Sequence, residues 1–301
     1  MSETYHIPVL LHEVIEALHI RPDGVYVDAT FGGGGHSRAI LAQLGSKGKL
    51  IGFDQDMDAA ENSIDDSRFL FVHSNFRFVK NFLRYHHIEK IDGLLVDLGV
   101  SSHHFEEAER GFSFRFDTSL DMRMNRAATL SAADILNSYT EEALAALFYN
   151  FGELRQSRRI ARRIVAVRGD TPFLQTTQLV ELLRPLCKRE HEKQELAQAF
   201  QALRIEVNRE LEALKTLLLQ TTGLLNSGGR LVALTYHSLE DRLVKNFIKS
   251  GNIEGNVEKD FYGRTSVPFI AVNRKVIVAG NQEVGNNPRA RSAKLRAAER
   301  V

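Results

Sequence analysis

Between Val25 and Ser102, short runs rich in β-branched and aromatic residues alternate with stretches of helical period. "VYVDAT" (25 to 30), "KLIGFDQD" (49 to 56), "FLFVHSNF" (69 to 76) and "IDGLLVDLGVSS" (91 to 102) read as strands, and "SRAILAQL" (37 to 44) reads as a helix. This alternation predicts an α/β fold with a parallel, doubly wound sheet. It stops abruptly. From about Leu130 to Leu219 nearly every segment has helical pattern. Ser131 with Asp134 has the form of a capping box, and Thr140 stands three residues before Ala143 where a cap would lie. Phe200, Leu203, Val207, Leu211, Leu214 and Leu218 set one apolar face on a single helix through "LAQAFQALRIEVNRELEALKTLLL". Strand character returns in "GGRLVALTYHS" (228 to 238), and "RKVIVAG" (274 to 280) offers a further strand. The expected organisation is a sheet domain of residues 1–129 and 215–301, interrupted by an all-helical insertion of residues 130–214. The tail "NNPRARSAKLRAAER" reads as basic and partly mobile.

Lysine and arginine number 39 against 38 acidic residues, so a net charge of +1 provides no global attraction to polyanions and any nucleic-acid contact has to be local. The single cysteine, Cys187, excludes an internal disulfide and a thiolate zinc site and reads as an inert thiol in a reducing compartment. No run of roughly 18 uncharged apolar residues occurs, so the expectation is a soluble cytoplasmic protein without a membrane partner. The oligomeric state is open, a homodimer included.

"VDATFGGGGHS" (27 to 37) places four glycines directly after the first strand. Bare backbone feeding a helix N-terminus brings N–H groups and a positive helix end close to a ligand. A dinucleotide fingerprint needs glycine at its first, third and sixth positions, and here the sixth is Ser37 or Arg38, depending on register. What remains is Asp28 at the end of the first strand and Asp54 closing the next, where a carboxylate can bind ribose hydroxyls. Asp28 would repel a pyrophosphate but suits the ammonium group of S-adenosylmethionine, directly or through water. The plainer alternative is a turn that serves strand-to-helix packing alone. His36, at the positive helix end, is either a satisfied structural histidine or a neutral donor to the ligand.

Taken together, "HIPVLLHEVIEAL", "DATFGGGGHS", "GFDQD", "DGLLVDLGVSS", "RGFSF", "LDMRMN", "FQALRIEVNREL", "HSLEDRLVK" and "NPRARSAKLR" resemble the bacterial 16S rRNA cytosine-N4 methyltransferase family across residues 6–296. The resemblance implies a Rossmann-like S-adenosylmethionine-dependent methyltransferase sheet with a helical insertion. It also implies small-subunit 16S rRNA as partner, with methylation of a decoding-centre cytidine. Its cofactor contacts fall on Gly34, Gly35, His36, Asp54, Phe76 and Asp97, and on His104, where "SSHHFE" replaces the usual "SSPQLD". Imidazole at His104 supplies one hydrogen bond where an amide supplies two functions. "FGELRQ" and "HEKQELAQAF" also depart from the family pattern, both inside the insertion.

Cytosine N4 is a weak nucleophile because its lone pair is delocalised into the ring, so an acceptor against its hydrogens is required. Asp97 is one catalytic candidate, and "LGVSS" after it lacks the two prolines common in amino methyltransferases. His237 and Glu240, with Tyr236, are further candidates at the base pocket, while Ser238 and Asp241 in the same motif read as a helix cap. Arg155, Arg158, Arg159, Arg162, Arg163 and Arg168 either contact phosphates or form a solvated face. Phe112, Phe114 and Phe116 in "RGFSFRFD" have the spacing of core residues, whereas the resemblance makes this segment a loop over the active site. Two alternatives stay open: a noncatalytic ribosome-assembly factor and a nucleotide-dependent oxidoreductase.

Overall fold

The structure is a computed structural model that describes residues 8–99, 110–257, 261–262 and 266–301. His104, with its neighbours His103, Phe105 and Glu106, lies outside the described residues. The chain opens with α1 (Leu11–Leu18), β1 (Val25–Asp28), α2 (Gly35–Gln43), β2 (Lys49–Asp54), a 3-10 turn (Met57–Asn62), β3 (Phe69–His73), α3 (Val79–Tyr85) and β4 (Ile91–Asp97). Helices follow: α4 (Ala132–Ser138), α5 (Glu141–Asn150), α6 (Ser157–Arg168), α7 (Thr176–Leu183), α8 (Glu192–Asn208) and α9 (Glu210–Leu224). The sheet then resumes with β5 (Leu225–Thr235), α10 (Ser238–Ser250), β6 (Phe269–Ala271), β7 (Ile277–Val278), α11 (Asn281–Asn286) and β8 (Lys294–Arg300). The fold is thus the expected α/β sheet with an inserted run of helices.

Strand order is β3-β2-β1-β4-β5-β8-β6, with β7 also on β8. The first five strands are mutually parallel, and β8 runs antiparallel to β5 and β6. Parallel strands are covered on both faces, and their side chains divide by alternation. Tyr26, Leu50, Leu95 and Val232 pack with Val14 and Leu18 of α1 and Ile40 of α2. Val27, Ile51, Leu94 and Leu231 pack on the other face with Leu83 of α3, Leu217 of α9 and Phe247 of α10. Each such side chain, removed from water, contributes about 1.5–3 kcal/mol before chain entropy is counted.

The chain divides into two compact units, Met1–Gly99 with Leu211–Val301, and Val100–Glu210. The second unit therefore begins before the helical pattern does. The reason is its core: Phe112, Leu120 and Met122, which precede α4, are buried together with Ile135, Phe148, Ile164, Leu179 and Leu203. Backbone bonds from Leu120 N–H to the Leu174 carbonyl and from Thr176 N–H to the Thr118 carbonyl fasten this segment to α7. The Ser131–Asp134 capping box is present, and Thr140 caps α5 by accepting from Ala143 N–H at 3.2 Å.

Three sequence expectations need correction. The single helix through Leu196–Leu219 is two helices, because Arg209 is left-handed at φ 49° and ends α8. Asn208 drives that break: its Nδ2 donates to the Met122 and Arg204 carbonyls and its Oδ1 accepts from Met124 N–H at 2.8 Å. The basic tail is not loose, since β8 is an interior strand with Leu295, Ala297 and Ala298 buried. Arg296 anchors it through a two-pronged bond to Asp241 on α10, with Nε donating to Oδ1 at 2.7 Å. Finally, "RKVIVAG" forms only the two-residue β7.

Asn208→Ala is expected to destabilise the protein by about 1–3 kcal/mol, since it removes the side-chain partner of the Met122 carbonyl and of the Met124 N–H. Denaturant unfolding of variant and wild type measures the difference.

Candidate active site

The parallel register brings the ends of β1, β2 and β4 to one side of the sheet, and each of the three strands ends in aspartate. The order reverses at β1, which has β2 on one flank and β4 on the other, and ligands of doubly wound sheets bind at such a switch.

Asp28 is buried, and its carboxylate faces inward: Oδ2 accepts from the Ser37 hydroxyl at 2.7 Å and Oδ1 from Thr30 N–H at 3.2 Å. It organises the turn rather than standing open to a ligand. Burial pushes its carboxyl up from the ordinary carboxylate range, against the opposing effects of His36, Ser37 and Thr30. Asp54 Oδ2 accepts from Gly32 N–H at 2.8 Å and Oδ1 from Asp56 N–H at 2.9 Å. A carboxylate offers about four acceptor positions, and these two bonds take one on each oxygen.

Asp97 donates its N–H to the Thr30 hydroxyl at 2.7 Å, and its Oδ1 accepts from Gly99 N–H at 3.0 Å. Its side chain is 20% exposed, unlike that of Asp28. The Tyr236 phenol lies beside it. Burial first, then the charge and hydrogen bonding of Asp97, hold that phenol well above its usual range, so it remains a donor. His36 Nε2 is 3.1 Å from the Val9 carbonyl, which can only accept, so Nε2 carries a proton. Nδ1 lies 3.8 Å from Asp97 Oδ2, beyond hydrogen-bond reach. His36 is thus held by Val9.

The glycines divide by role. Gly34 has φ 73°, which favours glycine, and a Cβ there would also stand 2.9 Å from the Phe31 ring. A Cβ on Gly33, in contrast, would meet nothing within 4 Å. Packing does not explain that glycine. Phe76 begins a 3-10 turn after β3 and is half-buried against the sheet core.

The "HSLED" motif differs from its expected cap. His237 is the N-cap of α10 and Glu240 its partner: the buried Glu240 carboxylate accepts from Tyr236 N–H at 2.9 Å and His237 N–H at 3.3 Å. Its other oxygen lies 2.9 Å from His237 Nε2. Glu240 therefore fixes the chain leaving β5, and Asp241 belongs to the β8 anchor rather than to the cap.

In the second unit, Ile160 and Ile164 of α6 are buried, while Arg155, Arg158, Arg159, Arg162 and Arg163 are exposed. Arg162 approaches Glu141 at 3.6 Å, and among the described residues the other four have no side-chain partner. Arg168 separates from this group, donating to the Leu136 and Tyr139 carbonyls. Phe112 is core and Phe114 packs edge-on against Phe200, as their spacing suggests, whereas Phe116 is 47% exposed. Burial, then Glu195, pushes the Cys187 thiol up to about 11, which makes it a poor nucleophile.

A family model described as the MraW methylase family matches residues 3–301. The chain belongs to that family. It is 58% identical over 299 residues to "Ribosomal RNA small subunit methyltransferase H" of Phocaeicola vulgatus, covering 99% of this chain and 98% of that protein. The protein of the same name from Bacteroides thetaiotaomicron is 59% identical over 297 residues, with 99% and 98% covered. That from Christiangramia forsetii is 54% identical, again over 297 residues and with 99% and 98% covered. For a member of the MraW methylase family, the open Gly33 and the acceptor-rich Asp54 fit S-adenosylmethionine. Thr30 and Ser37, which orient Asp97 and Asp28, were not singled out from sequence. Short hydroxyl residues two and nine positions after Asp28 were the available signal, and only the fold sets the Ser37 hydroxyl against the Asp28 carboxylate and the Thr30 hydroxyl against the Asp97 N–H.

The raised Asp28 carboxyl has a definite pH signature. Because the native carboxyl keeps its proton to higher pH than the unfolded one, Asp28 removes stability as pH rises between the two values. The melting temperature of ligand-free Asp28→Asn is expected to gain on wild type from about pH 4 towards neutrality. A gap independent of pH would contradict this.

Proposed function

We infer that the chain transfers the methyl group of S-adenosylmethionine to the exocyclic N4 of a cytidine in the decoding region of 16S rRNA, in the cytoplasm. The observation that carries this reading is identity above one half, over nearly the whole chain, to proteins named as small-subunit rRNA methyltransferases. Among the described residues no helix is long and apolar enough to cross a membrane.

The cofactor supplies a methyl group on a cationic sulfur. The chain supplies the rest. Asp54 holds ribose hydroxyls, and the glycine turn with His36 and Phe76 frames the remainder of the cofactor. Asp97 accepts from the N4 amine, countering delocalisation of its lone pair, while Tyr236 and Gly99 keep that carboxylate oriented. His237 borders the base, and Glu240 holds His237 in place. His104 completes the cofactor contacts in the family pattern.

The exposed arginines of α6 contact rRNA phosphates. An arginine face on which only Arg162 approaches a carboxylate among the described residues supplies charge-assisted, sequence-independent affinity. Decoding-region RNA is irregular, so unstacking the target cytidine costs only about a few kcal/mol.

Asp54→Ala is expected to weaken S-adenosylhomocysteine binding roughly tenfold or more, measured by calorimetry, while RNA affinity stays unchanged. Neutralising Arg158, Arg159 and Arg162 together is expected to lower RNA affinity and to flatten its salt dependence by about three counterions. An unaltered slope would return α6 to a solvated face. Mass spectrometry of rRNA nucleosides from a deletion strain tests the reaction itself: the N4 methyl of the target cytidine disappears if the reading is right, and its persistence refutes it.

A further inference from the structure

The side of the glycine turn facing away from the ligand is held by two side chains to which nothing above gives a role. Arg38 lies in the first turn of α2, and its side chain leans back toward the helix N-terminus, as helical side chains do. Its Nη1 donates to the Gly33 carbonyl at 2.7 Å and its Nη2 to the Asn62 carbonyl at 3.1 Å. Asn62, the last residue of the 3-10 turn after β2, returns a bond from Nδ2 to the Gly32 carbonyl at 3.2 Å.

Because a peptide unit is planar and trans, its C=O and N–H point in opposite directions, and fixing one fixes the other. The unit joining Phe31 to Gly32 is held at both ends, its N–H by Asp54 and its carbonyl by Gly34 N–H at 2.8 Å. The unit joining Gly33 to Gly34 is held by Arg38 at the carbonyl and by Phe31 at the N–H. Between them, the unit joining Gly32 to Gly33 is held only at its carbonyl, by Asn62. The Gly33 N–H points away from Asn62 and has no partner among the described residues. This is also the glycine whose missing Cβ relieves no clash.

We propose that Arg38 and Asn62 are positioning residues that lock the glycine turn before the cofactor arrives and present the Gly33 N–H to it as a donor. The proposal rests on the methyl-donor reading above. Its physical content is preorganisation: a run of glycines has more backbone freedom to lose than any other sequence, and a ligand binding a loose turn would bear that cost. The ring also ties the turn to the segment leaving β2, so the ribose carboxylate Asp54 and the donor at Gly33 are set by one network.

The test measures S-adenosylhomocysteine affinity by calorimetry in wild type, Arg38→Ala, Asn62→Ala, the double variant and Arg38→Lys. Thermal unfolding and amide exchange of the ligand-free turn are measured alongside. Each single alanine variant is expected to bind about tenfold more weakly, with faster exchange at Gly32 and Gly34, whose N–H groups are bonded in the held turn, and an unchanged melting temperature. The double variant should fall well short of the product of the singles, because both side chains restrain the same peptide units. Arg38→Lys keeps one donor and should be intermediate, which reads the clamp even if an alanine variant folds poorly. At saturating S-adenosylmethionine kcat should hold while KM rises. Variants that fold, bind within about twofold of wild type and exchange like wild type would overturn the clamp alone. Wild-type protein that does not bind S-adenosylhomocysteine would overturn the methyl-donor reading and the clamp with it.

Discussion

The parallel pairing of β1 with β2 on one edge and β4 on the other is the constraint on which the site depends. With Val27 level with Ile51 on one side and Leu94 on the other, the three strand ends cannot avoid one another. Three aspartates, Asp28, Asp54 and Asp97, therefore converge at one end of the sheet. Like charges in such a place are tolerable only if each is separately satisfied, and each is: Asp28 by Ser37 and Thr30, Asp54 by two backbone N–H groups, Asp97 by Gly99 and Tyr236. The most buried of the three serves architecture, and the other two are only partly buried.

A second theme is that several conspicuous motifs are occupied by structure. Glu240 closes the cap that turns the chain from β5 into α10, and Asp241 holds β8 through Arg296. "LDMRMN" acts likewise in the other unit: Leu120 and Met122 are buried, and Asp121 binds Arg123 through both oxygens. Burial works against that carboxylate's charge, yet the bonds from Arg123 still hold it below the usual carboxylate range. Motif strength in sequence thus reports the number of constraints on a residue, and catalysis is only one kind.

Much of the fold was legible because its signals are local. Alternating strands and helices, the Ser131–Asp134 box and the core spacing of Phe112 and Phe114 depend on neighbours a few positions away. The failures have the opposite character. The apolar stripe through Leu203 and Leu214 continues across Arg209, so periodicity sees one helix, yet the break is made by Asn208 reaching Met122 and Met124 far back in the chain. The basic tail looked loose because its partner, Asp241, is distant in sequence. The places of the glycine turn after β1 and of Asp54 at the end of β2 were readable, whereas the bonds made by Thr30, Ser37, Arg38 and Asn62 were not.

By itself the sequence determined the α/β class, the helical insertion, the place of the glycine turn and the family. Each is written in periodicity or in contiguous motifs. Only the tertiary structure decided which carboxylate is buried and which are partly exposed, and, among the described residues, which arginines of α6 and which backbone N–H of the turn have no partner. Those properties are set by burial and by hydrogen bonds between residues far apart along the chain, and such pairings have no local signature.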